Sequence, residues 1–348
     1  METRRRKTSS RRKIVKICAT VSAEERTTMT NEENVANETT NAEATAPVFD
    51  ETTPLETLQA AADGGNLDAL CELAWRRKHG VGVERDPSDA VRLFRKAAEA
   101  GSATAANNLG LCFDEGVGVP QNFDEAASWF RRAADAGDAA AQNNLGWAYL
   151  NGLGVGKSAG AATRWFRKAA EQGLAGAQNN LAHCYENGIG VAKNVEESTR
   201  WLQAAAESGL AEAQNNLGWR YQKGLGVKAD FKEAAVWFER AAEAGLAAAQ
   251  TNLGWLYLNG LGVDQSDEKA FGLFEAAAKQ GDLAAIGRLA QCYEYGRGVA
   301  KNEYLASKWY RIAAEAGDAG ALRKCEELAG SATKKLDALL RSDGPKLK

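Results

Sequence analysis

Apolar residues recur four apart along the chain: Ala105, Leu109 and Phe113, then Ala141, Leu145 and Tyr149, then Ala177, Leu181 and Tyr185. An i, i+4, i+8 series lies on one face of an α-helix, so each set predicts a helix with one core-facing stripe. Each of these helices is predicted to stop where a glycine follows its last turn, as at Gly116, Gly152, Gly188, Gly224 and Gly260. A left-handed residue at that place satisfies the open carbonyls. A second helix opens after Asp86, Asn122, Ser158, Asn194, Asp230, Ser266 or Asn302, every one a capping residue, and Pro87 adds a proline to the first turn. Its packing face reads Ala126, Trp129, Phe130, Ala133 and Ala134: small residues that let helices approach, and aromatics that fill the gaps between units.

The two helices alternate with a fixed period. Glycine returns every 36 residues at Gly65, Gly101, Gly137, Gly173, Gly209, Gly245, Gly281 and Gly317, and loop pairs from Gly80 and Gly82 to Gly296 and Gly298 keep the same register. Seven copies without an insertion or deletion predict an all-α solenoid of seven 36-residue two-helix repeats, in which each unit touches only its neighbours. Terminal capping helices are expected, because the end faces of such an array are apolar. Residues 55–63 resemble the end of a preceding second helix, and residues 318–341 a first helix followed by a polar closing helix. The expected division is a disordered basic, then polar, tail over residues 1–50, the solenoid over 51–330, and a C-terminal cap and tail over 331–348.

Charge and cysteine usage narrow the function. The 348 residues carry 43 basic and 46 acidic side chains, net −3, without the basic excess that phosphate neutralisation requires, so nucleic acid is not an expected partner. No apolar run reaches the roughly 20 residues that span a bilayer, and no apolar signal-peptide core opens the chain. Neither membrane insertion nor secretion is expected. Of the six cysteines, Cys112, Cys184 and Cys292 share one repeat position, while Cys18, Cys71 and Cys325 follow no common spacing. They read as free thiols in a reducing, cytoplasmic compartment. The tail, with Arg4, Arg5, Arg6, Lys7, Arg11, Arg12, Lys13 and Lys16, leaves three readings open: a solvated segment, a plastid or mitochondrial transit peptide with Ile17-Cys18-Ala19 like a plastid processing site, or a nuclear import signal.

Candidate chemistry lies opposite the core stripe of the first helix. At 100° per residue, Asn143 and Trp147 fall about 160° to 200° from Leu145, away from their own repeat's core. The ladder runs Asn107, Asn143 with Trp147, Asn179 with His183, Asn215 with Trp219, and on to Trp255. Asparagine both donates and accepts, so such a row can bond the backbone of an extended peptide while indoles hold its side chains. The same face can equally serve as packing between the first helices of adjacent repeats. The following asparagines, Asn108, Asn144, Asn180, Asn216 and Asn252, are expected to tie loop backbone, and Trp129, Trp165, Trp201, Trp237 and Trp309 to pack in the core. The two histidines, His79 and His183, stand too far apart for zinc-ligand spacing. No nucleophile elbow and no phosphate-loop lysine accompany the glycines, so no catalytic residue, metal or cofactor is expected.

Residues 140–173 and 212–245 spell AQNNLGW, a tyrosine two residues on, a Gly-x-Gly loop, then Ala, Trp-Phe and Ala-Ala before glycine, almost throughout. This resembles the Sel-one-like repeat (SLR) family of tetratricopeptide-type solenoids over about residues 55–330. The resemblance implies a right-handed superhelix whose concave surface carries the ladder. It also implies protein-binding adaptors and scaffolds in quality control, signalling and cell-wall regulation, with one bacterial branch described as β-lactamase-like. The expectation is a monomeric, non-catalytic adaptor that binds a protein or peptide segment in its concave groove. The alternatives are a structural spacer using its convex face and ends, and a hydrolase like that bacterial branch.

Overall fold

In a computed structural model, the described residues are residue 49 and residues 52–328. The N-terminal tail with its targeting alternatives, Cys18, and the closing helix expected after residue 328 lie outside them. The regular structure of the described residues is helical: α1 (Leu55–Asp63), α2 (Leu67–His79), α3 (Pro87–Glu99), α4 (Ala103–Glu115), α5 (Phe123–Asp135), α6 (Ala139–Asn151), α7 (Ala159–Glu171), α8 (Ala175–Asn187), α9 (Val195–Glu207), α10 (Ala211–Lys223), α11 (Phe231–Glu243), α12 (Ala247–Asn259), α13 (Asp267–Lys279), α14 (Leu283–Tyr295) and α15 (Glu303–Glu315). Residues 319–328 are helical as well. Even-numbered helices are the first, and odd-numbered helices from α3 the second, of each unit. α1 is in register with the end of a second helix: Leu58 and Ala62 are buried, as Phe94 and Ala98 are one period later. Residues 319–328 begin one period after α14, so a half-unit stands at each end of the seven complete ones.

Helix boundaries follow from local chemistry. All seven second helices begin at the expected cap, whose side chain accepts first-turn amides; Asp230 takes those of Lys232 and Glu233 at 2.8 and 3.2 Å. All seven first helices end on a left-handed glycine. Successive helices pack in chain order, α1 on α2 through to α14 on α15. Phe94, Phe166, Phe238 and Phe274 of second helices are fully buried, with Leu109, Leu145, Leu181, Leu217 and Leu289 of the core-facing stripe. Each such side chain contributes about 1.5–3 kcal/mol by leaving water. Gly146 on α6 makes room for this contact, since a Cβ there would stand 2.6 Å from the Phe166 ring.

Contacts between units are made at three levels. The second loop glycine of each hairpin sits on the first turn of the preceding second helix. Gly154 has φ 63°, and a Cβ on it would collide with the backbone carbonyl of Phe123; Gly118, Gly190, Gly262 and Gly298 meet Pro87, Ala159, Phe231 and Asp267 in the same way. A glutamine on the first helix then bonds the end of the preceding second helix: Gln142 donates to the Ala134 carbonyl at 3.2 Å and accepts from Gln172 at 2.8 Å. Finally, Arg131 and Arg167 each donate to the tyrosine hydroxyl of the next unit, Tyr149 and Tyr185, at 2.6 and 2.8 Å, with the guanidinium near the ring. The second-helix tryptophans pack as expected, Trp237 buried and Trp129, Trp165, Trp201 and Trp309 against the core clusters, with Lys168 4.1 Å over the Trp165 ring.

One joint departs from this pattern. Where the other inner units place Cys112, Ala148, Cys184, Leu256 or Cys292, α10 places Arg220, buried at the contact with the preceding unit, as the first unit places buried Arg76, paired with Glu72 at 2.8 Å. Its guanidinium donates to Ser198 and Thr199 at 2.8 and 2.7 Å and pairs with Glu186 at 3.2 Å. Burial pulls the arginine below its ordinary pKa, and the Glu186 carboxylate opposes that fall. Ser198 stands where neighbouring units have alanine, so the partner helix is adapted to the cation.

Two predictions follow from this packing. Alanine at Gly173, with φ 88° and open space around it, meets only left-handed strain of about 1–2 kcal/mol. Alanine at Gly154 adds a collision with the neighbouring unit, worth a further ~1–3 kcal/mol, so G154A should lower the denaturation midpoint well below that of G173A. Equal midpoints would refute the close inter-unit approach. The second concerns the thiols. Cys71, Cys112, Cys184 and Cys292 are free and buried, Cys325 free and half-buried. Burial pushes the Cys112 and Cys292 thiols up to about 11 and raises Cys71 and Cys184, so at pH 8 little thiolate forms. In a Cys18→Ser background, iodoacetamide at pH 8 should label Cys325 first in the native protein and all five described thiols in denaturant, as read by peptide mass mapping. Native labelling of Cys112 as fast as Cys325 would contradict the placement.

Candidate functional site

The ladder residues lie on the first helices α4, α6, α8, α10 and α12; Trp147, expected to turn away from its own repeat's core, instead packs against Phe166 of its own second helix. The exposure of the ladder is not uniform. Asn107, Asn143 and Asn179 are 0%, 2% and 5% exposed, turned into the joint between successive first helices. That corrects the expectation that every ladder amide faces open groove: three of them are enclosed by the neighbouring unit, a contact that helix geometry within one repeat does not contain. Asn215 is half-buried.

The asparagine doublets explain the enclosure. Asn144 donates to the Asn107 side-chain oxygen at 2.9 Å, Asn180 to that of Asn143 at 2.8 Å, and Asn252 to that of Asn215 at 2.9 Å. Asn144, Asn180 and Asn252 therefore each tie to the ladder asparagine of the preceding unit, in place of the loop backbone expected for them. A signal for this was present in the sequence, since the doublet repeats as a pair and a 37-residue offset joins its two members. The bond satisfies polar groups at the joint, where an unpaired amide would cost roughly 1–3 kcal/mol. It occupies the acceptor of each bonded ladder asparagine.

The rings of the ladder behave differently from the amides. Trp147 is half-buried, packing edge-on against Phe166 with centroids 5.5 Å apart, and its indole N–H is enclosed without a hydrogen-bond partner. His183 is exposed, within 3.1 Å of the Asn187 amide. Trp219 is 43% exposed and Trp255 half-buried. One turn on, Asn151, Asn187 and Asn259 each donate to the carbonyl of the ring-bearing residue, Trp147, His183 and Trp255, at 3.2, 3.2 and 2.7 Å. Those bonds fix the amides so that their oxygens are left as acceptors beside the rings. The arrangement supplies flat apolar surface, neutral hydrogen-bonding groups and the exposed His183 imidazole, suited to holding a ligand.

Other chemistry is placed as follows. Among the described residues, no group of three or more His, Cys, Asp or Glu is gathered to hold a metal ion, and no helix is long and apolar enough to cross a membrane. His79 stacks on Trp75 at 4.6 Å, two units or more away from His183. The buried Arg220 cluster was not singled out from the sequence, though an arginine at a position otherwise apolar in the inner units was its visible sign.

Comparison with known proteins agrees with this geometry. No curated protein matches the chain. Among solved structures, it is similar to a protective antigen present in uropathogenic Escherichia coli strains and displaying an SLR fold, at 35% identity and TM-score 0.69 over 82% of this chain. The match spans 65% of that antigen's length. It is likewise similar to a Sel1 repeat protein from Oxalobacter formigenes, at 33% identity and TM-score 0.63, covering 78% of this chain and 79% of that one. The Sel1 repeat model matches seven times in succession, over residues 67–102, 103–138, 139–174, 175–210, 211–246, 247–282 and 283–318, each match holding one first helix, its glycine loop and one second helix. The chain belongs to the Sel1 repeat family, whose solenoids are typical of protein-interaction scaffolds.

Proposed function

We propose that the protein is a non-catalytic adaptor that holds an extended segment of a partner protein along the face of its first helices, through the ladder of Asn107, Asn143, Trp147, Asn179, His183, Asn215, Trp219 and Trp255. The observation that carries the reading is Trp219. An indole normally loses most of its surface to the core, and this one stays 43% exposed on a structured helix, with exposed His183 one unit before it and half-buried Trp255 one unit after. Exposed aromatics on rigid elements are the side chains that dominate protein interfaces. The enclosed asparagines take part by fixing the spacing of the helices that present the rings. The protein acts as a monomer without cofactor, in a reducing compartment where its thiols remain free.

A second reading, a spacer that uses its outer face and ends, is favoured by the asparagine bonds, since they make part of the ladder a joint. The two readings separate on one set of variants. Trp219→Ala should weaken binding of a partner recovered by affinity purification by about 2 kcal/mol or more while leaving the denaturation midpoint nearly unchanged. Asn143→Ala should do the opposite: it strands the Asn180 amide and should cost about 1–3 kcal/mol of stability. Undiminished affinity in Trp219→Ala would favour the spacer.

A further inference from the structure

From α6 onward the face of the first helices opens toward the C-terminal end of the array. Equivalent positions show this without change of residue type: Ala140 on α6 is buried, Ala248 on α12 half-buried and Ala284 on α14 exposed. The ladder amides follow the same course, buried at Asn107, Asn143 and Asn179 and half-buried at Asn215 and Thr251. The ring positions are buried at Leu111, half-buried at Trp147 and Trp255, and exposed at His183, Trp219 and Gln291, with Tyr295, at 59% exposure, one turn beyond Gln291. Of the large apolar side chains exposed among the described residues, Leu55 alone precedes Trp219.

We infer that the binding stretch of this face is confined to α10, α12 and α14, and that its occupant is an extended, uncharged-to-mixed peptide segment carrying two aromatic or aliphatic side chains three residues apart. The inference rests on the groove reading above and narrows it. The Asn252–Asn215 bond holds α12 beside α10 at about one helix diameter, ~10 Å, and in an extended segment of polyproline II form side chains i and i+3 share one face about 9 Å apart, so Trp219 and Trp255 meet side chains at that interval. Between them Asn215, Asn259, Thr251 and Gln291 are neutral, matching backbone N–H and C=O groups. Charge chooses protein over nucleic acid as occupant. Lys223 and Arg288 on this stretch are set against Glu212 and Asp282, leaving no basic excess to neutralise phosphates. The Asn144–Asn107 and Asn180–Asn143 bonds join α4, α6 and α8 where the row is buried, and the Asn252–Asn215 bond continues the series where the row is half-buried.

The test selects short random phage-displayed peptides on the full-length chain and measures the winners as synthetic peptides by calorimetry. Enriched peptides are expected to share two aromatic or aliphatic residues at i and i+3, to lose at least about 30-fold in affinity on Trp219→Ala and on Trp255→Phe, and to stay within about threefold on Trp147→Ala. Matching helicity and melting temperature qualify each variant. Affinity that falls on Trp147→Ala or His183→Ala and not on Trp219→Ala would overturn the confinement and keep the groove. Affinity indifferent to all four substitutions would remove both. No enrichment over a Trp219→Ala, Trp255→Phe double variant would overturn the inference, as would Trp219-dependent binding of single-stranded oligothymidine at physiological salt.

Discussion

No unit of this protein can bury all its faces alone; each hairpin packs its two helices together and completes its burial against the unit before or after. That constraint of nearest-neighbour burial sets the rest. A two-helix hairpin hides one side of Phe166 and Leu145 and leaves the other side to the next hairpin. Close approach is then decisive, and the loop glycines supply it: at Gly154 the backbone of one unit rests against the first turn of the last, where even a methyl group has no room. Half-units at the two ends, α1 and residues 319–328, carry the same packing past the last complete repeats.

The same constraint divides the first-helix face between stability and recognition. Where the first helices approach closely, their asparagines are drawn into the joint and bond to one another, and the face becomes part of the stack. Where approach is looser, the same positions remain in contact with water and keep their rings on view. Asn143 and Asn215 make equivalent bonds to the next unit, yet one is buried and the other half-buried. The same row of positions is thus buried in one stretch of the array and half-buried or exposed in another.

Arg220 shows how far a repeat can be varied without breaking the array. A buried guanidinium is tolerable only when its donors are met, and here Ser198, Thr199 and Glu186 meet them from the preceding unit. The joint between α8, α9 and α10 is therefore polar where the other inner joints carry an apolar residue at this position. Its neighbours on the ladder also differ: His183 is the smaller ring in the series, and Trp219, one unit on, is the exposed indole.

Much of the fold was legible in the chain because its determinants are local and repeated. Helix starts at Asn122 or Asp230, stops at Gly152, the Ala-Leu-Tyr stripe and the 36-residue register all depend on residues within one unit, and copying them seven times removes ambiguity. The recurrence of the ladder positions was legible for the same reason. Which ladder residues are enclosed was not, since the distance between first helices depends on side chains 36 residues apart acting together, and a helical wheel holds only one helix. The sequence alone determined the helices, their order and which side of each faces the core; only tertiary packing decided that Asn107 belongs to a joint and Trp219 to a surface, because burial is a property of neighbours and not of position along a helix.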